Sequence, residues 1–311
     1  MSRHALVTGA AGFIGSNLSR KLLEEGWRVT GVDDLSSGHL ELVQGLKGLT
    51  LVVNDFASEP IVEAVESGDF DVVFHVAAVP RVSYSVENPS DTTLNNVAKT
   101  VKLMESCRGK IDRFVFSSSS SVYGGAEVMP TPVGQPRDPK SPYAWHKSSI
   151  EDLLRMFGNL YDFDSVCLRY FNVFGPNQYG DSPYSTAISA WCHAIKEGLP
   201  LRKDGTGDQS RDMCYVDNVV DVNIRAGNHT GTFRGEAFNV ACGDRTSNNE
   251  ILEAFQKRFG ELNVNQAPFR AGDVMHTQAD ISETERVFGY TPLVRFWDGI
   301  EKTLDWWDLN E

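Results

Sequence analysis

The chain is short of positive charge, of cysteine and of long apolar runs, and each shortage closes off a class of function. Lys and Arg total 29 against 42 Asp and Glu, a formal net charge of −13 at pH 7. A field of that sign repels nucleic acid and anionic membrane, so an anionic ligand must be met by locally placed cations. The five cysteines, Cys107, Cys167, Cys192, Cys214 and Cys242, are odd in number and scattered, with no C-x-x-C. They read as buried thiols in a reducing compartment, not as a disulfide framework or a metal site. No apolar run reaches the length of a membrane span, and the first residues form a strand–turn pattern instead of a targeting segment. The expectation is a soluble, cytoplasmic protein with neither nucleic acid nor membrane as partner. At 311 residues, 41% hydrophobic and 23% charged, it is a globular chain of one large or two unequal domains.

What is present is alternation. Short β-branched runs at 5–8, 28–32, 49–53, 71–76, 113–118 and 165–172 are apolar almost throughout, as strands covered on both faces are. Helical stretches lie between them at 14–25, 59–67, 92–108 and 143–161, the first three closed by Gly26, Gly68 and Gly109. This order predicts right-handed βαβ units, hence an α/β fold with a doubly wound parallel Rossmann sheet. Beyond Asn172 the alternation stops. A smaller α/β domain is expected there, with a helix at 187–197, a loop at 205–211 and a strand at 236–241. Ser247-x-x-Glu250 and Ser282-x-x-Glu285 read as helix starts, and 296–309 reads as a last amphipathic helix. The division expected is 1–173 and 174–311, with a segment near 214–240 returning to the first domain.

Gly9-Ala10-Ala11-Gly12-Phe13-Ile14-Gly15 follows a strand and opens a helix. Glycines there allow a tight turn and close approach of backbone to a pyrophosphate, which the helix N-terminus then attracts. Alone the triplet is a weak signal that also fits an ordinary turn. Asp33 lies 18 residues past Gly15 at the end of the second strand, where a carboxylate accepts the ribose hydroxyls of NAD and repels the 2′-phosphate of NADP. Asp55, closing the third strand, is placed for the adenine amino group.

Tyr143-x-x-x-Lys147 opens a helix with both side chains on one face. A phenol titrates near ~10, so a neighbouring ammonium and a positive nicotinamide are needed to favour the phenolate as a base. The spacing by itself is common; its company is not. Ser117 to Ser121, flanked by Phe-Val-Phe and Val-Tyr-Gly, places hydroxyls at the carboxyl end of a strand, where ligands of open α/β sheets bind. Asn95-Asn96 offers an amide to cofactor or water. His146 is read as a surface residue turned off the Tyr–Lys face.

With these residues the sequence resembles an extended short-chain dehydrogenase/reductase of the NAD-dependent sugar epimerase/dehydratase family. The segments TGAAGFIG, VDDLSSG, FHVAA, NNV, FSSSSSVYG, SPYAWHK, LRYFNVFGP, RDMCYVDNVVD, FNVACGDRTS and RAGDVMHTQAD carry the likeness across almost the whole chain. Within that family it is most similar to UDP-sugar 4-epimerases, especially those acting on UDP-N-acetylhexosamines. The resemblance implies an NAD site lined by Gly9, Gly12, Phe13, Ile14, Asp33, Asp55, Phe56, Ala77 and Ala78, completed by Asn95, Tyr143, Lys147 and Phe171. It implies Ser119, Tyr143 and Lys147 as the catalytic set. Asn172, Arg211, Arg270 and Asp273 are implied to hold the nucleotide diphosphate and its ribose, and Thr277 to lie beside the sugar 2-substituent. A UDP-sugar substrate and a homodimer are implied as partners.

The 4,6-dehydratases of the family carry Asp-Glu before V-Y-G, and the UDP-glucuronate decarboxylases a Glu in the second place. Here Ser120 and Ser121 stand there, which argues against both chemistries. Residues 79–85 are similar to the corresponding loop of glucuronate 4-epimerases, except that Ser83 replaces an Arg. The rivals to a UDP-hexose 4-epimerase are therefore a uronic-acid or pentose nucleotide 4-epimerase, a keto-sugar nucleotide reductase, and a non-catalytic NAD-binding module.

Overall fold

The computed structural model describes residues 2–180, 186–269 and 274–307. Seven strands form one parallel sheet: β1 (His4–Thr8), β2 (Arg28–Asp33), β3 (Leu49–Val53), β4 (Val72–His75), β5 (Arg113–Ser119), β6 (Ser165–Tyr170) and β7 (Arg234–Val240). Their spatial order is β7-β6-β5-β4-β1-β2-β3. Because β1 pairs with both β2 and β4, the winding reverses between β1 and β4, which is where a doubly wound sheet opens its crevice.

Alternate strand residues feed two cores. Leu6, Val73, Phe114, Phe116 and Cys167 pack against helices α2 (Glu59–Glu66), α3 (Lys99–Cys107) and α4 (Pro142–Tyr161). Ala5, Val7, Phe74, Val115 and Val166 pack on the other face, against α1 (Phe13–Glu24) and α5 (Val216–Asn228). The near-continuous apolar runs in the sequence follow from this double cover. Each large side chain taken fully from water there contributes about 1.5–3 kcal/mol.

The region 214–240 forms α5 and β7. β7 runs beside β6 in parallel, with Phe238 opposite Leu168 and Val240 opposite Tyr170. Among the described residues, the rest of the second half pairs in two-stranded units, Leu201–Asp204 with Val264–Ala267, Ser210–Arg211 with Thr246–Ser247, and Val173–Phe174 with Cys214–Tyr215, besides isolated bridges such as Ser210 with His276. The loop expected at 205–211 thus ends in a short strand.

Ser247 and Glu250 form both halves of a capping box, and their helix ends at Gly260. At the second site the start differs from expectation. Ser282 is the first helical residue, and Asp280 Oδ1 accepts its N–H at 2.9 Å. All five cysteines are buried and unbridged. Among the described residues no helix is long and apolar enough to cross a membrane.

Candidate active site

A parallel sheet presents all its carboxyl ends at one edge, and the residues singled out by sequence line up there. In strand order they run Phe171 and Ser119, then Ala77 and Ala78, Gly9, Asp33 and Asp55, following β6, β5, β4, β1, β2 and β3. At about 4.8 Å between strands, the row from β5 to β3 is roughly 19 Å long, an extended cleft rather than a point.

At the β1 end the cradle is made of missing side chains. Gly9 has φ +70°, and a Cβ there would sit 2.9 Å from the Ala77 backbone. A Cβ on Gly12 would lie 3.2 Å from the Gly9 carbonyl, and one on Gly15 would overlap that same carbonyl. Helix α1 starts at Phe13 with no side-chain cap and no acidic residue in its first turn, so Phe13 and Ile14 open a positive helix end onto the cleft. Asp33 accepts the Ala11 N–H at 2.9 Å on one oxygen and the Leu35 N–H at 2.9 Å on the other. Each oxygen keeps lone-pair capacity for a ribose hydroxyl. Burial raises the Asp33 pKa, opposed by those two N–H groups. The donor set, the open helix end and the Cβ-free cradle fit a dinucleotide. Asp55 takes a Lys99 ion pair at 2.6 Å and the Ala57 N–H at 2.8 Å, and Phe56 packs edge-on against His75.

A buried hydrogen-bond string that sequence reading missed braces this cradle. Thr8 Oγ1 accepts the N–H groups of Val76 and Ala77, each at 3.1 Å, which fills both its lone pairs. Its proton therefore goes to His75 Nδ1 at 2.8 Å, and His75 Nε2–H donates to Thr100 at 2.8 Å. Burial, with the Lys147 charge, holds the imidazole neutral by pulling its pKa down to about 3.

At the β5 end the working atoms belong to side chains. Ser119 closes β5, and its hydroxyl favours the Tyr143 phenolate. Lys147, one turn along α4, lies with Nζ 5.8 Å from the Tyr143 ring centre and donates to the Ser117 carbonyl at 2.6 Å. Burial pushes the Tyr143 phenol up to about 12, against the Ser119 hydroxyl. Burial pulls Lys147 down to about 7, while Glu151, one turn further, holds it up. Glu151 is itself buried, bonded by Arg169 at 2.9 and 2.7 Å and by Ser118 Oγ at 2.5 Å.

In the second half, Arg211 lies in a short strand and donates to the Ser210 and Met275 carbonyls at 3.0 and 3.1 Å. Its neighbour Asp212 is buried and gathers the N–H groups of Cys242, Gly243 and Ala279 at 2.9–3.0 Å. Burial raises that carboxyl to about 7 against the three N–H donors. Thr277 Oγ1 accepts the Asp212 N–H at 3.3 Å, which ties Thr277 to the residue after Arg211. Asn172 is half-buried, and its carbonyl accepts the Cys214 N–H. Phe171 is buried and packs beside Tyr123. Arg270 and Asp273 lie outside the described residues.

Two expectations need correction. The helix expected at 92–108 is split: Pro89–Thr93 is α-helical, Leu94–Ala98 is a π turn, and α3 follows. The wider turn rotates the amides, so Asn95 faces outward to Asp91 and to Lys99, the partner of Asp55. Asn96 is the inward amide. It bonds both the N–H and the carbonyl of Val79, at 2.8 and 3.1 Å, beside Ala78. His146 is not a surface residue: it is fully buried, bonded to Thr93 at 2.9 Å and Asn96 at 3.4 Å, because 89–98 packs over it.

A glycine cradle at a helix start, a ribose-type carboxylate one strand away and a Ser–Tyr–Lys set on the same sheet edge define a dinucleotide-dependent enzyme of the Rossmann class. The model of the NAD dependent epimerase/dehydratase family matches residues 5–241, and the chain belongs to that family. The UDP-glucose 4-epimerase of Mycolicibacterium smegmatis is 37% identical over 310 residues, covering 96% of this chain and 97% of the relative. Among solved structures, the UDP-N-acetylglucosamine 4-epimerase of Methanobrevibacter ruminantium, in complex with UDP-N-acetylmuramic acid, superposes with a TM-score of 0.93. It is 33% identical, covering 100% of this chain and 99% of that one. The UDP-glucuronic acid 4-epimerase of Bacillus cereus, with UDP-glucuronic acid and NAD, gives a TM-score of 0.87 at 31% identity, covering 98% and 99%.

Proposed function

We propose that the chain is an NAD-dependent UDP-hexose 4-epimerase that interconverts UDP-GlcNAc with UDP-GalNAc and also accepts UDP-Glc and UDP-Gal. The observation that carries the reading is the buried Tyr143 phenol, its phenolate favoured by Ser119 and one turn from Lys147, on the edge that holds the glycine cradle. When bound, NAD supplies the acceptor for the C4 hydride and a positive ring that favours the Tyr143 phenolate. The chain's own part is acid–base. At about 12 the phenol alone is no base at neutral pH, so the nearby Lys147 ammonium must lower it. Tyr143 takes the O4 proton as C4 is oxidised and returns it after the 4-keto sugar has turned about its diphosphate link.

Arg211, with Arg270 and Asn172, holds that diphosphate: guanidinium forks suit it, and the net charge of −13 leaves no general positive field to do so. Thr277, small and tied to Asp212, leaves room for an N-acetyl group. The likeness to the Methanobrevibacter enzyme supports that choice of sugar. The second reading, a UDP-glucuronate or UDP-pentose 4-epimerase, is supported by the likeness to the Bacillus enzyme and to UDP-arabinose 4-epimerase 1 of Arabidopsis thaliana. Residues 1–173 with the returning 214–240 segment serve the cofactor, and the remainder serves the sugar nucleotide. A homodimer is supported by apolar side chains left more than half exposed near and along α4: Leu94 (56%), Trp145 (51%) and Leu160 (64%). Incubating the purified protein with UDP-Glc, UDP-GlcNAc, UDP-GlcA and UDP-Xyl and resolving the C4 epimers tests the reading. Epimerisation of UDP-GlcNAc is expected; turnover of UDP-GlcA or UDP-Xyl alone would select the second reading.

A further inference from the structure

The serine run divides its hydroxyls among separate tasks. Ser117 Oγ pairs with the Tyr170 hydroxyl at 3.0 Å, Ser118 Oγ with Glu151 at 2.5 Å, and Ser119 Oγ with Ser121. Ser121 is left over by the acid–base scheme, since it holds the place where related enzymes of other chemistry carry a carboxylate.

Its own bonds are specific. Ser119 caps the 3-10 turn Ser120–Tyr123, and its Oγ accepts both the Ser121 N–H at 3.2 Å and the Ser121 O–H at 2.9 Å. A hydroxyl has two lone pairs and one proton. Ser121 fills both lone pairs, so the proton is all that Ser119 can offer. We propose that Ser121 is a positioning residue for the epimerase reaction: it locks Ser119 as a donor aimed at the Tyr143 oxygen and the sugar O4.

This inference rests on the 4-epimerase reading. Its consequence is a division of labour in the proton step. The O4–H bond breaks and the Tyr143 Oη–H bond forms, while Ser119 keeps its own proton and donates a hydrogen bond to whichever oxygen carries negative charge. A Ser119 with an open lone pair could instead accept from the O4 hydroxyl, holding the substrate proton away from Tyr143. Ser121 removes that unproductive arrangement by acting through Ser119.

The test is a double-mutant cycle measured on C4 epimerisation of UDP-Glc and UDP-GlcNAc. Ser121→Ala, which keeps the N–H and removes the O–H, is expected to lower kcat ~10-fold, the scale of one hydrogen bond beside a charge. KM should stay within about twofold if Ser121 acts only through Ser119. Ser121→Thr, which keeps a hydroxyl, should recover most of the loss. Ser119→Ala with Ser121→Ala should be no slower than Ser119→Ala alone, because Ser121 acts only through Ser119. Additive losses in the double variant, a rise in KM for Ser121→Ala, or parental kcat in Ser121→Ala would each overturn the proposal. A parent protein that epimerises no UDP-sugar would fail the underlying reading instead.

Discussion

At the β1–β3 end of the sheet edge the ligand-facing groups are backbone N–H donors, a cradle stripped of side chains and the Asp33 carboxylate. At the β5–β6 end they are side chains pressed into low dielectric, where burial drives Tyr143 up to about 12 and Lys147 down to about 7. The first region works by steric absence, and its shape hardly depends on protonation. The second works by charge, and burial alone sets both groups against catalysis. Ser119 opposes the rise at Tyr143, and Glu151 opposes the fall at Lys147. A binding end and a reacting end can therefore be damaged separately.

The largest expected effect lies at the reacting end. Tyr143→Phe should cut kcat by about 10²–10⁴, the span of a positioned acid–base group, with UDP-sugar affinity nearly unchanged. Single-turnover rates beside calorimetric affinity check both halves. Arg211→Ala should do the converse, weakening UDP binding by roughly 2–5 kcal/mol while the chemical step on bound substrate persists. Calorimetric titration with UDP reads it, and parental affinity would place Arg211 off the diphosphate.

At the β1 end, Gly9→Ala forces a side chain into a left-handed φ and against the Ala77 backbone, at a cost of about 1–3 kcal/mol. The variant should purify with less NAD, measured by releasing the nucleotide with acid, while Ser119 and Tyr143 stay in place. The smallest effect on overall activity is expected from Thr277→Tyr. It should lower UDP-GlcNAc epimerisation by ~10-fold or more while retaining UDP-Glc activity, since filling a pocket excludes one substrate without altering the chemistry. Equal losses on both sugars would show that Thr277 serves the loop through Asp212 and not the sugar.

The same contrast governs how much could be read before any fold was known. Gly9, Gly12, Gly15 and Asp33 were legible because a backbone cradle is written in consecutive residues and a fixed spacing. Most strands of the sheet were legible because both their faces are covered, whereas the edge strand β3 has no buried residue. Tyr143 and Lys147 were legible as a pair, yet not their environment. The Glu151–Arg169 ion pair and the Asp212 clasp join positions 18 to 67 residues apart, which only the fold brings together. That Asn96 and not Asn95 turns inward was not legible because a π turn carries no sequence signature, and one extra residue in a turn redirects every amide after it. His146 reads as exposed from helical phase alone; what buries it is the 89–98 segment packed across α4.

The central claim is that Tyr143 handles the O4 proton while the C4 hydrogen never leaves the protein. Running the reaction in D2O with no added nucleotide cofactor, and following UDP-GlcNAc and UDP-Glc by proton NMR, tests it directly. The account predicts C4 epimers whose C4 position keeps protium, with exchange confined to hydroxyl oxygens. Deuterium at C4, or epimers that form only with a stoichiometric supply of reduced cofactor, would contradict it.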